Sequence, residues 1–190
     1  MKSRGEPPLR ADAARNREQV LRIAREQLAA GDDSLQLNTI ARLAGVGVGT
    51  VYRHFPGRQA LLEALSSASL TELASRAESA VTANNSLTEL HELLRYALAR
   101  TLSEPGFATV LASPTTVDQD TANQKSRLDR ALGKLLRQAK QQGQVRDDVR
   151  PADLRRLIAG TTYALTCGPH PPRLVKTYLQ TLQSGLRPPT

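Results

Sequence analysis

Thr50, Tyr52, Arg53 and His54 stand within five consecutive positions. Together they offer hydroxyl, phenol, guanidinium and imidazole groups, the donors and cations that take hold of phosphates and base edges. They lie inside Ile40–Leu62, IARLAGVGVGTVYRHFPGRQALL. Apolar and small residues (Ile40, Ala41, Ala44) run up to Gly45. A short second run then puts Val51 and Phe55 on one side and Thr50, Arg53 and His54 towards another. The pattern is a helix-turn-helix with a buried face and a polar, partly basic face, followed directly by a third helix.

The second helix of the pair is predicted over Val48–Phe55, about 12 Å at about 1.5 Å per residue. That length suits end-on presentation to a major groove about 12 Å wide. Gly47 and Gly49 near its start let the backbone approach DNA closely, and Gly47 can serve as the N-cap. Amides exposed at that end also attract phosphate.

Other chemistries find less support. His54, His91 and His170 are far apart in sequence, and no Cys/His or carboxylate cluster has metal-ligand spacing, so neither metal nor cofactor is expected. No nucleophile motif such as G-x-S-x-G occurs, and the chain is not expected to be an enzyme. The single cysteine, Cys167, excludes an intrachain disulfide framework, fits a reducing compartment and reads as a buried small hydrophobe rather than a redox sensor. Residues 1–17, MKSRGEPPLRADAARNR, contain no apolar run like a secretory signal, and no stretch is long and apolar enough to span a membrane, so a soluble cytoplasmic protein is expected.

The net charge is +8. Through residue 60 there are ten Lys/Arg against six Asp/Glu, leaving +4, and the remaining sixteen against twelve leave +4 again. Charge per residue is therefore about twice as high in the first third, which suits a polyanion there, although simple solubility also accounts for +8.

The hydrophobic fraction is 39% with only 3% aromatic, so Leu, Ala, Val and Ile must do the packing, and this favours helices over sheets. No alternating strand pattern appears, and the expected fold class is all-α. Residues 1–11 read as a flexible basic arm carrying Lys2, Arg4 and Arg10. A first helix is predicted from Asp12 to Ala30, with Val20, Ile23, Ala24, Gln27 and Leu28 inward and Gly31 as its stop. Asn38–Ala44 and Val48–Phe55 form the helix pair, broken at Pro56 and Gly57. A long helix follows over Arg58–Ala83. Ser86 with Glu89 resembles a capping box opening the next, closed by Glu104, Pro105 and Gly106. Phe107–Leu111 is one short helix, Ser113–Val117 a loop, and Asp118–Gln142 an amphipathic helix stopped by Gly143. Pro151 suits a first turn, with Leu154, Leu157, Ile158, Thr161 and Leu165 as a buried stripe. Gly168, Pro169, Pro171 and Pro172 precede a last helix over Arg173–Leu186. The expected organisation is therefore an arm (1–11), a DNA-binding domain (12–57) and a helical effector and dimerisation domain (58–190).

The run AGVGVGTVYRHFPGRQALLEAL is similar to the signature of the TetR family of bacterial transcriptional regulators, and with the first helix the resemblance covers about residues 15–63. It rests on AGV, on T-V-Y-R-H-F with Thr50, Tyr52, His54 and Phe55 at this spacing, and on P-G-R with the following Leu pair. It implies phosphate contacts by Thr50, Tyr52 and Arg58, and leaves Arg53 and His54 as candidates for base edges or phosphates. The sequence departs from the family where Ser-Lys is usual: Gly47 and Val48 stand there, so a cationic contact is missing, and Val48 can pack on a thymine methyl. Gln36 replaces the Thr that often opens helix two and caps poorly. Asn38 either caps that helix or reads a base. Gln36, Asn38, Val48, Gly49, Thr50, Tyr52, Arg53, His54 and Arg58 are thus the candidate DNA contacts.

The resemblance implies for the rest of the chain a bundle that pairs two subunits and encloses an effector pocket. One short recognition helix reads few base pairs, whereas a dimer sets two on half-sites of a double-stranded operator. Leu154, Leu157, Ile158, Leu165, Leu174, Tyr178, Leu179 and Leu182 of the last two helices are candidates for the homodimer interface, and some of them must be intrachain core. Tyr96, Phe107, Thr162, Tyr163, Thr166, Cys167 and His170 mix apolar and polar character and are candidates to line a pocket for a small-molecule effector of unknown identity. Taken singly, core packing is the plainer reading of each. Arg127, Arg130, Lys134 and Arg137 form a stripe that suits an anion or simply a wet face. The expected function is a transcriptional repressor released from its operator by an effector. An effector-independent DNA-compacting protein is the alternative.

Overall fold

In the computed structural model, which describes residues 8–83, 85–169 and 171–188, the described residues form nine helices and no strand. They are α1 (Pro8–Ala29), α2 (Leu37–Ala44), α3 (Val48–His54), α4 (Arg58–Ala80), α5 (Ser86–Ser103), α6 (Phe107–Ala112), α7 (Gln119–Gln141), α8 (Pro151–Thr166) and α9 (Pro172–Gly185). The all-α expectation holds. Lys2 and Arg4 of the expected arm lie outside the described residues, as does His170. Residues 8–11, also assigned to that arm, instead belong to α1, because the fixed φ of Pro8 suits a first helical turn. The chain divides into two compact units, Met1–Leu65 and Ser66–Thr190, with the division inside α4.

In the first unit α1, α2 and α3 pack on one another. Val20, Leu21, Ala24 and Leu28 of α1 meet Leu35, Ile40, Ala41, Val51 and Phe55 in the buried set, while Gln27 is only half-buried. In the second unit α5 is the hub, touching α7, α8 and α9, and α6 lies on α8. Its core joins Leu70, Leu73 and Ala77 of α4 to Leu94 and Leu98 of α5, Phe107 of α6, Leu128 and Leu135 of α7, and Leu154, Ile158 and Leu165 of α8.

Helix ends explain two departures from expectation. The N-cap of α5 is Asn85, whose side-chain oxygen accepts from the Thr88 amide at 3.1 Å. Ser86 is instead buried and donates to Gln138 Oε1 at 3.0 Å, so the capping box expected at Ser86 and Glu89 is not the one used. Asn85 sits one residue earlier in extended backbone, where a cap must be. On α8, Pro151 opens the helix and the Asp153 carboxylate accepts from the Arg150 amide at 2.9 Å. Its buried stripe is Leu154, Ile158, Thr162 and Leu165; Leu157 is exposed and Thr161 half-buried. The strict four-residue step from Leu154 to Ile158 to Thr162 turns Leu157 outwards.

Candidate nucleic-acid interface

Gly45 makes the turn between α2 and α3. It lies in the left-handed region (φ 63°, ψ 28°) and its amide reaches the carbonyls of Ala41 and Arg42, closing α2. Only glycine takes that conformation without steric cost. Val46 continues the C-terminal cap by donating to the Ala41 carbonyl at 3.0 Å. Gly47 then caps α3 as expected, with its carbonyl accepting from Thr50 N at 2.9 Å.

Packing sets the roll of α3. Val51 is 0% and Phe55 1% exposed, which fixes that side of the helix against the core. With 100° per residue, the residues beside them must then face away. Val48 and Tyr52, one turn apart, are 45% and 46% exposed. Gly49 and Arg53, also one turn apart, are exposed, while Thr50 and His54 are half-buried. The six α3 residues singled out from sequence therefore form one continuous outer surface. The Arg17 guanidinium stands over the Phe55 ring at 5.5 Å, tying α1 to the end of α3.

The remaining candidates flank that surface. Gln36 is the N-cap of α2 and its side chain makes no capping hydrogen bond. Asn38 lies inside the first turn of α2 and is exposed, so capping is not its role. Arg42, exposed and one turn beyond Asn38, shares its stripe. Arg42 was missed because a single cation beside a glycine turn carries no motif; its i, i+4 spacing from Asn38 is the signal that finds it. Arg58 opens α4 and is exposed, but its Nε donates to the Asp33 carbonyl at 2.8 Å. That bond leaves its two terminal nitrogens for another acceptor. The Asp33 turn is itself braced by Asp32, whose carboxylate accepts from the Ser34 hydroxyl at 2.5 Å and the Ser34 amide at 3.0 Å. Hydrogen bonding from the Ser34 side chain, then its amide, holds the Asp32 carboxyl below its ordinary pKa.

Of the seven candidate effector residues, the six that lie within the described residues are not brought together. Phe107 is wholly buried core. Thr162 is buried and bonded to Thr101 at 2.6 Å. Tyr96 is half-buried beneath the Arg76 guanidinium at 4.3 Å, beside an open groove of about 520 Å³ between α4 and α5. Tyr163, at 73% exposure, and Thr166 and Cys167 look outwards from the last two turns of α8. The expectation that Cys167 is buried is thus corrected: it caps the exposed end of α8. The basic stripe of α7 is partly spent. Arg127 pairs with Glu78 at 2.5 Å, and this hydrogen bond, with Arg130 and Lys134 adding their charge, keeps the Glu78 carboxyl below its ordinary pKa. Among the described residues no three His, Cys, Asp or Glu side chains gather as metal ligands.

Two family models match. Residues 20–65 match the bacterial regulatory proteins of the tetR family, and residues 87–188, more than half of the chain, match the C-terminal domain of SbtR-like transcriptional regulators. The chain belongs to the TetR family of transcriptional regulators. This TetR-family chain is 38% identical over 58 residues to an HTH-type transcriptional regulator of Staphylococcus aureus, a match that spans 30% of either protein. It is 28% identical to a TetR transcriptional regulator from Streptomyces coelicolor, with 92% of this chain and 99% of that one covered and a TM-score of 0.50. A TetR-family regulator from Marinobacter aquaeolei, 16% identical, shares the fold with a TM-score of 0.60 over 93% of this chain and 98% of that one. As a member of this family the protein is a DNA-binding transcriptional regulator with a helix-turn-helix at residues 37–54.

Proposed function

We propose that this regulator reads an operator with α3 and represses transcription until a small molecule, held in the second unit, lowers its affinity for DNA. The observation that carries the reading is the split of α3 into a buried side (Val51, followed by Phe55) and an outer side bearing Val48, Gly49, Thr50, Tyr52, Arg53 and His54. Thr50 and Tyr52 hold phosphates, Arg53 and His54 reach base edges or phosphates, and Val48 packs on a thymine methyl. Gln36, Asn38 and Arg42 on α2 and Arg58 on α4 supply flanking backbone contacts, with Gly49 letting the duplex come close.

The working unit is a homodimer through α8 and α9. Leu154, Ile158 and Leu165 belong to the intrachain core, which removes them from the expected interface. Leu157 and Tyr178 are exposed and Leu174, Leu179 and Leu182 only partly covered. No residue of α9 is fully buried, and an open, mainly apolar groove of about 880 Å³ runs between α8 and α9 past Leu157, Tyr178 and Leu182. A second copy would cover this apolar area and supply the second recognition helix. The protein works in the cytoplasm, on chromosomal DNA; no described helix is long and apolar enough to cross a membrane. Effector release requires a ligand that binds the DNA-incompetent state more tightly than the competent one.

The test is to map bound DNA across the source genome and measure binding of the recovered duplexes by fluorescence anisotropy. Sequence-selective binding that compounds related to the neighbouring genes reverse is the expected result. Binding indifferent to sequence and governed by salt alone would favour the DNA-compacting reading.

A further inference from the structure

Net charge in the second unit is not spread over its surface. Ser66–Thr190 carries sixteen Lys/Arg against eleven Asp/Glu, leaving +5, and α7 alone holds six against two, leaving +4. Charge that serves solubility is interspersed in sign. The neighbouring helices follow that rule: on α4 Arg76 pairs with Glu72 at 2.7 Å, and on α5 Arg95 pairs with Glu92 at 2.6 Å. On α7, Lys125 is buried, Arg127 is held by both carboxylate oxygens of Glu78, and Lys140 donates to the Asp147 and Val149 carbonyls at 2.7 Å. The other three cations, Arg130, Lys134 and Arg137, are exposed, and their side chains make no hydrogen bond or ion pair among the described residues.

Steps of four and three residues keep these three on one side of α7. Ser126 and Gln141, exposed one turn beyond either end, continue the stripe with polar groups. From Arg130 to Arg137 it is about 10 Å long at about 1.5 Å per residue, the length over which one DNA strand passes about three phosphates at about 3.4 Å each. Leu128, Leu132, Leu135 and Ala139 on the other side of the helix are core, so the stripe is held outwards.

We propose that this face of α7 is a second DNA-contacting surface, which holds the phosphates of a duplex without reading its bases. It goes beyond operator reading by α3, where Arg42 and Arg53 are likewise exposed cations that no side chain of the protein neutralises. The kind of partner follows from what the stripe lacks. None of the exposed large apolar residues lies on α7. A protein partner is gripped by aromatic or aliphatic anchors, and a helix lying on a membrane sinks an apolar face into it. The apolar face of α7 is already spent on the core. A duplex needs only cations and hydrogen-bond donors along its backbone, and DNA is the polyanion that this family engages. Each contact releases a counterion, so the face adds affinity for any sequence and steepens the dependence on salt.

The experiment uses the full chain, a duplex carrying the mapped operator and one of equal length with the operator scrambled, each followed by fluorescence anisotropy over a range of salt. Arg130→Gln with Arg137→Gln removes the two ends of the stripe at exposed helical positions. Arg76→Gln with Arg95→Gln removes equal charge from α4 and α5, and melting curves check that both proteins are folded. The stripe variant is expected to bind the scrambled duplex at least about tenfold more weakly at about 0.1 M salt, with a slope of log affinity against log salt shallower by about 1.8 per engaged subunit. Its preference for operator over scrambled DNA should be that of the wild type, and the control variant should match the wild type throughout. Unchanged affinity and slope, a loss confined to the operator, or an equal loss in the control would each overturn the assignment. So would wild-type binding to polyglutamate or to phosphatidylglycerol vesicles as tight as to the scrambled duplex. If operator preference is intact while the stripe variant behaves as wild type, only the α7 surface fails; if no protein prefers the operator, operator reading by α3 fails.

Discussion

Replacing Arg53 with alanine separates recognition from folding. Arg53 is exposed and makes no hydrogen bond or ion pair among the described residues, so its loss should move folding stability by no more than about 0.5 kcal/mol. Its cost belongs to the complex. A base-reading arginine carries about 1–3 kcal/mol of binding free energy, and a symmetric dimer loses it at both half-sites, giving about 2–6 kcal/mol. At about 1.4 kcal/mol per decade, this is a loss of operator affinity between roughly 30-fold and roughly 20,000-fold. If Arg53 holds a phosphate instead, the loss is uniform across sequences, and the slope of log affinity against log salt becomes shallower by about 0.9 per subunit. The assay is anisotropy of a labelled operator and of single-base variants at several salt concentrations, with a melting curve of the same preparation. A folded Arg53→Ala protein with wild-type affinity and salt slope would refute placing this face of α3 on DNA.

Two glycines in the reading unit should respond in opposite senses. Gly45→Ala meets no neighbouring atom within 4 Å, but φ of +63° is strained for any Cβ, so it should cost about 1–2 kcal/mol of unfolding free energy in urea melts. Gly49 is helical with open space around it; alanine there should add about 0.5–1 kcal/mol of stability while reducing operator affinity, because the new methyl stands on the DNA-facing surface. For His91, burial and then the charge of Arg187 push the imidazole below its ordinary pKa, and its Nε2 is buried without a partner. The unfolded chain therefore takes up a proton near pH 6.5 that the folded chain refuses, and stability declines as pH falls from there to the folded value. His91→Gln should flatten that decline in melting temperature between pH 7.5 and 5.5; an identical decline would assign it to other groups. Leu157→Lys places a charge on an exposed α8 position, so sedimentation should report a monomer of native helicity, and an unchanged dimer would move the interface elsewhere.

What could be read in advance and what could not follows from how far apart the interacting residues are. The helix-turn-helix is local: Gly45 follows its helix directly, Val51 and Phe55 are one turn apart, and the exposed stripes are dictated by those two buried positions. Boundaries failed where two residues competed for one role. Asn85 and Ser86 are both good caps, and the choice is made by Gln138, 52 residues from Ser86, which takes the Ser86 hydroxyl. Leu157 fits a helical stripe, three residues after Leu154, yet the step from Leu154 to Ile158 to Thr162 fixes the inward face of α8 and leaves it outside.

Polar contacts inside the second unit show the same rule from the other side. Ser69 meets Arg100 and Glu104 across 31 and 35 residues, and Thr101 meets Thr162 across 61. None of these residues looks unusual in its own helix: Ser66 and Ser69 are ordinary helix residues, and Arg100 with Glu104 is an ordinary i, i+4 ion pair. Side chains of mixed apolar and polar character drew notice instead, and of those chosen Phe107 is core while Tyr163, Thr166 and Cys167 are on the surface. Thr162 reaches Thr101 of α5 through a hydroxyl pair that no spacing rule encodes. A recognition helix must present its chemistry outward along one short segment, so its residues cluster in sequence. A ligand cavity is closed by several helices, each giving one or two groups, so its chemistry emerges only after those helices have packed.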